Sequence, residues 1–243
     1  MSPPGGENPV VDKWRALHDD DGTPIGRYLH ASEEGREVAA RVELAVPVER
    51  AVPVILRELR GMRVAGPVEL GRALVAAGGQ ARRHAHVYSH ALETVPEEPR
   101  GLAPLDRRAE DLLPAYDAAF PPGHPDRSAA ALRHLSGIVA GRLGPLLDAS
   151  GIALDGDRVV AAILIAELGD AEPPLGGPWV MEVFRDPRYP GTGRALLERA
   201  LARVKGPALG LTVTEGNPAV RLYERLGFRR VLTSLTVELV RGR

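Results

Sequence analysis

The stretch from Trp179 to Phe228 restricts the fold more than any other part of the chain. The apolar run Trp179 to Arg185 has strand character, and Arg188, Gly191 and Gly193 follow in the spacing RxxGxG. Gly193 opens an amphipathic run whose apolar face is Leu196, Leu197, Ala200, Leu201 and Val204. A strand that enters a helix through a glycine turn leaves several backbone amides converging on one spot. With the positive end of the helix dipole behind them, that spot suits a phosphate or pyrophosphate. A second strand follows, then a short helix that starts at Asn217 and Pro218 and stops at Gly227.

Upstream the pattern stays regular. Leu102 to Leu105 is a short strand, and Asp106 caps a helix through Phe120 with Ala109, Leu112, Leu113 and Tyr116 on its apolar stripe. PPGHPD, Pro121 to Asp126, breaks it, and Ala129 to Leu143 is a second helix. Ser150 to Asp155 and Arg158 to Leu168 form a hairpin. Val159 to Ile165 is apolar on both faces, as in a central strand covered on both sides. A loop from Gly169 to Pro178 precedes Trp179, and a last strand runs from Arg229 to Val240.

Residues 1 to 10 are a tail rich in proline and glycine, and 11 to 35 have the character of loop and turn. Asp19, Asp20 and Asp21 are either a solvated turn or a cation site. A strand is expected at Glu37 to Val46 and a helix at Glu49 to Arg60, with Pro53 in its first turn. A second helix is expected from Pro67 to Gly78, then a polar strand from Gln80 to His90. Setting Gly78 on Gly227 places Leu74 on Tyr223, so residues 36 to 92 form a degenerate copy of the chain's end. His84, His86 and His90 either hold a metal or simply line a polar strand, and no further ligand is expected nearby. Leu92 to Pro104 is the linker between an N-terminal α/β region, 1 to 98, and a second domain, 99 to 243.

The second motif, Asn217, Ala219, Leu222, Tyr223, Gly227 and Phe228, spells NxAxxLYxxxGF. Together with RxxGxG it resembles the acetyl-CoA signature of the GNAT superfamily of N-acetyltransferases. The order strand, two helices, hairpin, strand, helix, strand, helix, strand over residues 101 to 243 is similar to the order of that family. The resemblance implies an α/β (α+β) fold with a mixed central sheet flanked by helices, and direct acetyl transfer to a primary amine of a small molecule or protein. It implies that Val183, Phe184, Arg188, Tyr189, Gly191, Thr192, Gly193, Arg194, Asn217 and Tyr223 contact acetyl-CoA, with Val183 and Phe184 as backbone donors. Tyr223 is then the general acid, or alternatively a core aromatic. Asn217 is a helix cap, a cofactor contact, or both. Glu182, the nearest carboxylate in the strand, is the candidate base, or else a strand carboxylate facing solvent or an arginine. Pro190 stands where an arginine or lysine is frequent, which removes one amide donor and one charge. The amine acceptor is expected between the first two helices and the strand before the glycine turn, near Tyr116, Phe120, His124, Asp126 and Glu167.

Composition narrows the alternatives. With 31 basic and 32 acidic residues no global charge favours nucleic acid or an anionic membrane, and the absence of cysteine removes thiolate metal sites and cysteine nucleophiles. No metal and no membrane partner is expected, the expected compartment is the cytoplasm, and a homodimer is allowed. A catalytically silent acyl-CoA sensor is the alternative from another class.

Overall fold

The computed structural model describes residues 13–33, 36–93, 96–124, 126–169 and 175–240. The proline-rich start, Pro125 of the PPGHPD break and residues 170–174 of the loop before Trp179 lie outside the described residues. Two compact units are present, one running up to His86 and including the chain from Leu232 on, the other Val87–Val231. This does not follow a linear division at residue 98, because the end of the last strand pairs inside the first unit.

In the first unit β1 (Lys13–His18) and β2 (Pro24–Glu33) form an antiparallel hairpin where loop was expected. Leu17, Ile25 and Tyr28 are buried in its core. These few apolar residues occupy inward positions, while the polar ones between them hid the strands. Asp19 closes the turn by accepting the amides of Asp21 and Thr23. β3 (Arg36–Leu44), α1 (Val48–Glu58), β4 (Arg63–Pro67), α2 (Val68–Ala76) and β5 (Gln80–Ala91) follow. Pro53 lies in the interior of α1, not in its first turn, since the helix starts at Val48. β4 was not expected. Its Gly66 accepts the side chains of Val42 and Leu70 so closely that a Cβ would lie 3.3 Å and 3.1 Å from them. The unit's strand order is β1-β2-β3-β4-β11-β5, where β11 is Arg229–Glu238.

The second unit has the order β5-β10-β9-β8-β7-β6, built from β6 (Ala103–Pro104), β7 (Gly151–Asp155), β8 (Arg158–Leu168), β9 (Gly177–Arg185) and β10 (Ala208–Thr214). Its helices are α3 (Ala109–Ala119), α4 (Ala131–Val139), α5 (Thr192–Arg203) and α6 (Val220–Arg225). β8 is buried from Val159 to Ala166, as a strand covered on both faces should be. Ile163 and Ile165 join the core beneath α5 and α6, and Val159, Ala162 and Leu164 join that of α3 and α4. α3 starts later than expected. Arg108, not Asp106, is its cap, and the Asp111 carboxylate accepts the Arg108 amide at 3.2 Å. The linker is pinned, since Glu98 bonds Arg199 and Arg203 of α5.

The expected internal copy has local counterparts. In α2 and α6 the same closing bonds recur: Gly79 N to Leu74 O and Phe228 N to Tyr223 O, with Gly78 at φ 99° and Gly227 at φ 92°. β3 and β4 pair in parallel at Val38–Arg63 and Ala39–Val64, and β9 and β10 at Trp179–Gly210 and Val180–Leu211. Just beyond these pairs both β3 and β9 slip register against their antiparallel neighbours.

Candidate functional site

The site begins where β9 and β10 part. Their parallel ladder ends at Val180–Leu211, and on the other edge of β9 Glu182 faces Leu164 while Val180 faces Ile165. Met181 is therefore an extra residue, a bulge that bends β9 away from β10. Gly210, paired with Trp179 within that ladder, leaves room for the Trp179 ring, since a Cβ on it would lie 2.4 Å from the ring. From Met181 to Arg185 the β10 side of β9 lies outside the ladder, which leaves backbone groups in need of a partner. Val183 and Phe184 sit on this stretch. The Phe184 side chain is buried edge-on against Tyr116, so only its backbone is left to meet a ligand.

β9 runs directly into the glycine turn. Gly191, at φ 89°, caps α5, whose first internal bond is Ala195 N to Gly191 O at 3.0 Å. The amides of Thr192, Gly193 and Arg194 precede that bond and find no acceptor within the helix. A methyl on Gly191 would meet nothing within 4 Å, and one on Gly193 only Arg185 Cδ at 3.7 Å. The space beside these two glycines is open, and a helix start of this kind suits a phosphate or pyrophosphate. Thr192 Oγ1 donates to Tyr189 O at 2.8 Å, and Tyr189 donates its hydroxyl to Asp155 at 2.5 Å. Both residues therefore brace the turn.

The structure assigns the charges of the turn differently from their simple count. Arg188 reaches back to Asp186 with Nε at 3.0 Å and Nη2 at 2.6 Å, and its own amide donates to the same carboxylate. Arg158 donates to Asp186 as well, at 2.6 Å. The hydrogen bond from Arg188 is the main reason the Asp186 carboxyl is lowered to about 2. Arg188 thus shapes the turn, Arg194 pairs with Glu198, and Arg185 is held by the carbonyls of Asp186 and Pro187. Asp186 and Arg185 were not singled out in the sequence, although an aspartate two positions before the motif arginine was a usable signal.

A second cluster surrounds Tyr223. Its phenol is buried, and burial first, then the charges of Glu182 and Asp126, raise its pKa. Glu182 Oε1 lies 2.7 Å from His134 Nε2 of α4, a residue that sequence reasoning passed over as one polar position in a helix. Asp126 accepts Thr214 Oγ1 at 2.6 Å and Asn217 Nδ2 at 3.0 Å. Asn217 meanwhile accepts the Ala219 amide at 2.8 Å, so it caps the approach to α6 and holds the loop with one amide group. α6 itself starts at Val220, later than Asn217 and Pro218 suggested. Tyr116 is fully buried, accepts the Ser128 amide at 3.0 Å, and packs at a tilt against Phe120, which in turn meets His124. Tyr116, Phe120, His124 and Asp126 are thereby brought together, with the Asp126 amide donating to His124 Nδ1 at 3.1 Å. Glu167 falls toward the other end of β8, opposite Pro178, and is not among them.

His86 Nδ1 lies 3.0 Å from Thr233 Oγ1, and the His84 and His86 rings are 5.2 Å apart. Among the described residues no three histidine, aspartate or glutamate side chains come together to hold a metal. No helix among them is long and apolar enough to cross a membrane.

Residues 109–228 match the model of the acetyltransferase (GNAT) family. That span contains every residue of both clusters. Among solved structures, the chain resembles a GCN5-related N-acetyltransferase from Sphaerobacter thermophilus at 17% identity and TM-score 0.63, over 96% of this chain and 83% of that one. A functionally unknown conserved protein from Staphylococcus epidermidis is similar at 11% identity and TM-score 0.59, over 95% and 96% of the two chains. So is a tandem GNAT protein from the clavulanic acid biosynthesis pathway, at 11% and 0.51, over 97% and 86%. No curated protein sequence matches the chain. The fold, a mixed sheet flanked by helices, is that of the GNAT proteins.

Proposed function

Because residues 109–228 are a domain of the acetyltransferase (GNAT) family, we propose that the protein transfers an acetyl group from acetyl-CoA to a primary amine of a small molecule or a protein. The observation that carries this reading is the parting of β9 and β10 after Val180, directly beside an open row of amides at the start of α5. A thioester arm fits between the strands only if its pyrophosphate is held at that helix start.

The chain's own residues divide the work. The amides of Thr192, Gly193 and Arg194, with the α5 dipole behind them, hold the pyrophosphate. The backbone of Val183 and Phe184 holds the acyl end. When bound, acetyl-CoA supplies the thioester carbonyl that an amine attacks. Glu182 takes a proton from that amine. Tyr223 keeps a proton on its phenol for the departing sulfur, and its raised pKa keeps the proton there at neutral pH. Asp126, tied to Thr214 and Asn217, holds the loop beyond α3 in place beside Tyr223. The N-terminal unit is a degenerate half-repeat in this reading. Val42 and Leu70 close on Gly66 just beyond the short parallel ladder of β3 and β4, and α1 is capped by Pro47, which has no amide to offer.

Free thiol release from acetyl-CoA, followed across amino sugars, polyamines, amino acids and lysine peptides, tests the proposal. Turnover on one class, lost in Tyr223→Phe, supports acyl transfer. Acetyl-CoA binding without turnover on any amine would favour the silent sensor.

A further inference from the structure

Glu182 does not stand alone. Its Oε1 lies 2.7 Å from His134 Nε2, and the imidazole is the more exposed partner, 31% against 17% for the carboxylate side chain. The surroundings of the pair are unlike solvent. Leu164 of β8, a fully buried residue, lies opposite Glu182 in the ladder, and Tyr116 of α3 and Tyr223 of α6 both sense the Glu182 charge. Asp126, Arg127 and Asp117 are the other charged groups acting on those two phenols. A proton accepted by Glu182 therefore has a defined neighbour to pass to, and that neighbour reaches water.

We propose that His134 is a positioning residue and proton outlet for Glu182, so that the base of this site is a carboxylate–imidazole pair; this rests on the acyl-transfer reading. The proton balance requires an outlet. An acceptor ammonium carries three protons: one stays on the amide nitrogen, one ends on the thiol by way of Tyr223, and one must leave the site. The N–H bond breaks toward Glu182 and the N–C bond forms at the thioester carbonyl as the C–S bond breaks. His134 takes the remaining proton from Glu182 and releases it to solvent. The ring that does so starts with its proton on Nδ1, so that Nε2 accepts from Oε1 and the Nδ1 proton is the one that leaves; the Nε2–H tautomer left behind donates to Oε1 and aims the other oxygen of Glu182 until exchange with solvent resets it.

The test uses the full chain with Glu182→Gln, His134→Gln and His134→Ala. His134→Gln keeps a donor but carries no proton, and its kcat is expected to fall roughly 10-fold or more. KM for acetyl-CoA should stay within about 2-fold, because the cradle is untouched. The acid limb of the pH profile should flatten, and added imidazole should restore turnover to His134→Ala. Independently of turnover, the ring ¹⁵N resonances of His134 should move in Glu182→Gln while those of the other histidines stay. Wild-type kcat and pH profile in His134→Gln would overturn the relay, as would ring resonances that Glu182→Gln leaves in place. If the wild-type protein releases thiol with none of the amines, the acyl-transfer reading fails and the relay falls with it, whereas a turning-over wild type matched by His134→Gln sinks the relay alone.

Discussion

Replacing Gly193 with alanine distinguishes an anion cradle from an ordinary turn, because stability and affinity should move in opposite directions. Gly193 is the second residue of α5 and does not have a positive φ, so alanine adopts its backbone without strain. The new methyl would touch only Arg185 Cδ at 3.7 Å, an ordinary van der Waals contact. Within a helix glycine costs about 0.5–1 kcal/mol relative to alanine, and a position this near the end should recover about half of that. A gain of about 0.5 kcal/mol raises the melting temperature of a domain of this size by about 1–2 °C. The same methyl projects into the open space before the amides of α5, and acetyl-CoA binding should weaken about 10-fold or more, at about 1.4 kcal/mol per factor of ten. Scanning calorimetry and titration calorimetry on one preparation measure both. A melting temperature that rises with an unchanged Kd would refute the cradle and leave a plain strand-to-helix turn. Gly191→Ala is the contrasting control. At φ 89° alanine pays about 1–2 kcal/mol in backbone strain, so stability should drop there.

Four further outcomes are expected. Tyr223→Phe should lower kcat by about 10²–10⁴-fold while the buried ring keeps stability within about 1 kcal/mol. In the wild type the raised phenol pKa should show no alkaline limb below pH of about 10 when kcat is followed against pH. Asp186 has its folded pKa lowered to about 2 from 3.8, chiefly by the Arg188 hydrogen bond. Its contribution to stability is thus complete above about pH 4 and lost as pH falls toward 2; Asp186→Asn should flatten that part of the acid-unfolding curve monitored by circular dichroism. In the N-terminal unit, Gly71→Ala would bring a Cβ to 2.5 Å from Leu235 Cβ, so denaturant unfolding should report a loss of about 1–3 kcal/mol; wild-type stability there would mean that α2 shifts freely on β11.

Much of the fold was legible because its signals are local. Helical spacing along α5, the two-sided apolar run of β8 and the glycines at the ends of α2 and α6 need only neighbouring residues to be read. β1 and β2 were missed for the opposite reason. Their apolar positions are few, and their inward facing exists only once β3 and α1 cover them. β4 was missed because five residues ending in a proline carry almost no period. At the site, Tyr223, Glu182 and the glycine turn were within reach of spacing arguments. His134 and Thr214 were not, since each acquires meaning from a partner elsewhere in the chain.

The order of residues alone already dictates a strand that enters a helix through glycine, because dihedral freedom at Gly191 and the apolar stripe of α5 are properties of a short segment. It also restricts the candidates for an acid and a base to a few titratable side chains. The folded chain settled which charges are free. Arg188, a binding residue by spacing, is drawn to a buried carboxylate two positions away, and Glu182, an isolated strand carboxylate by sequence, acquires an imidazole from α4. Electrostatic energy depends on distance and local dielectric, and both come into being only when distant segments pack together.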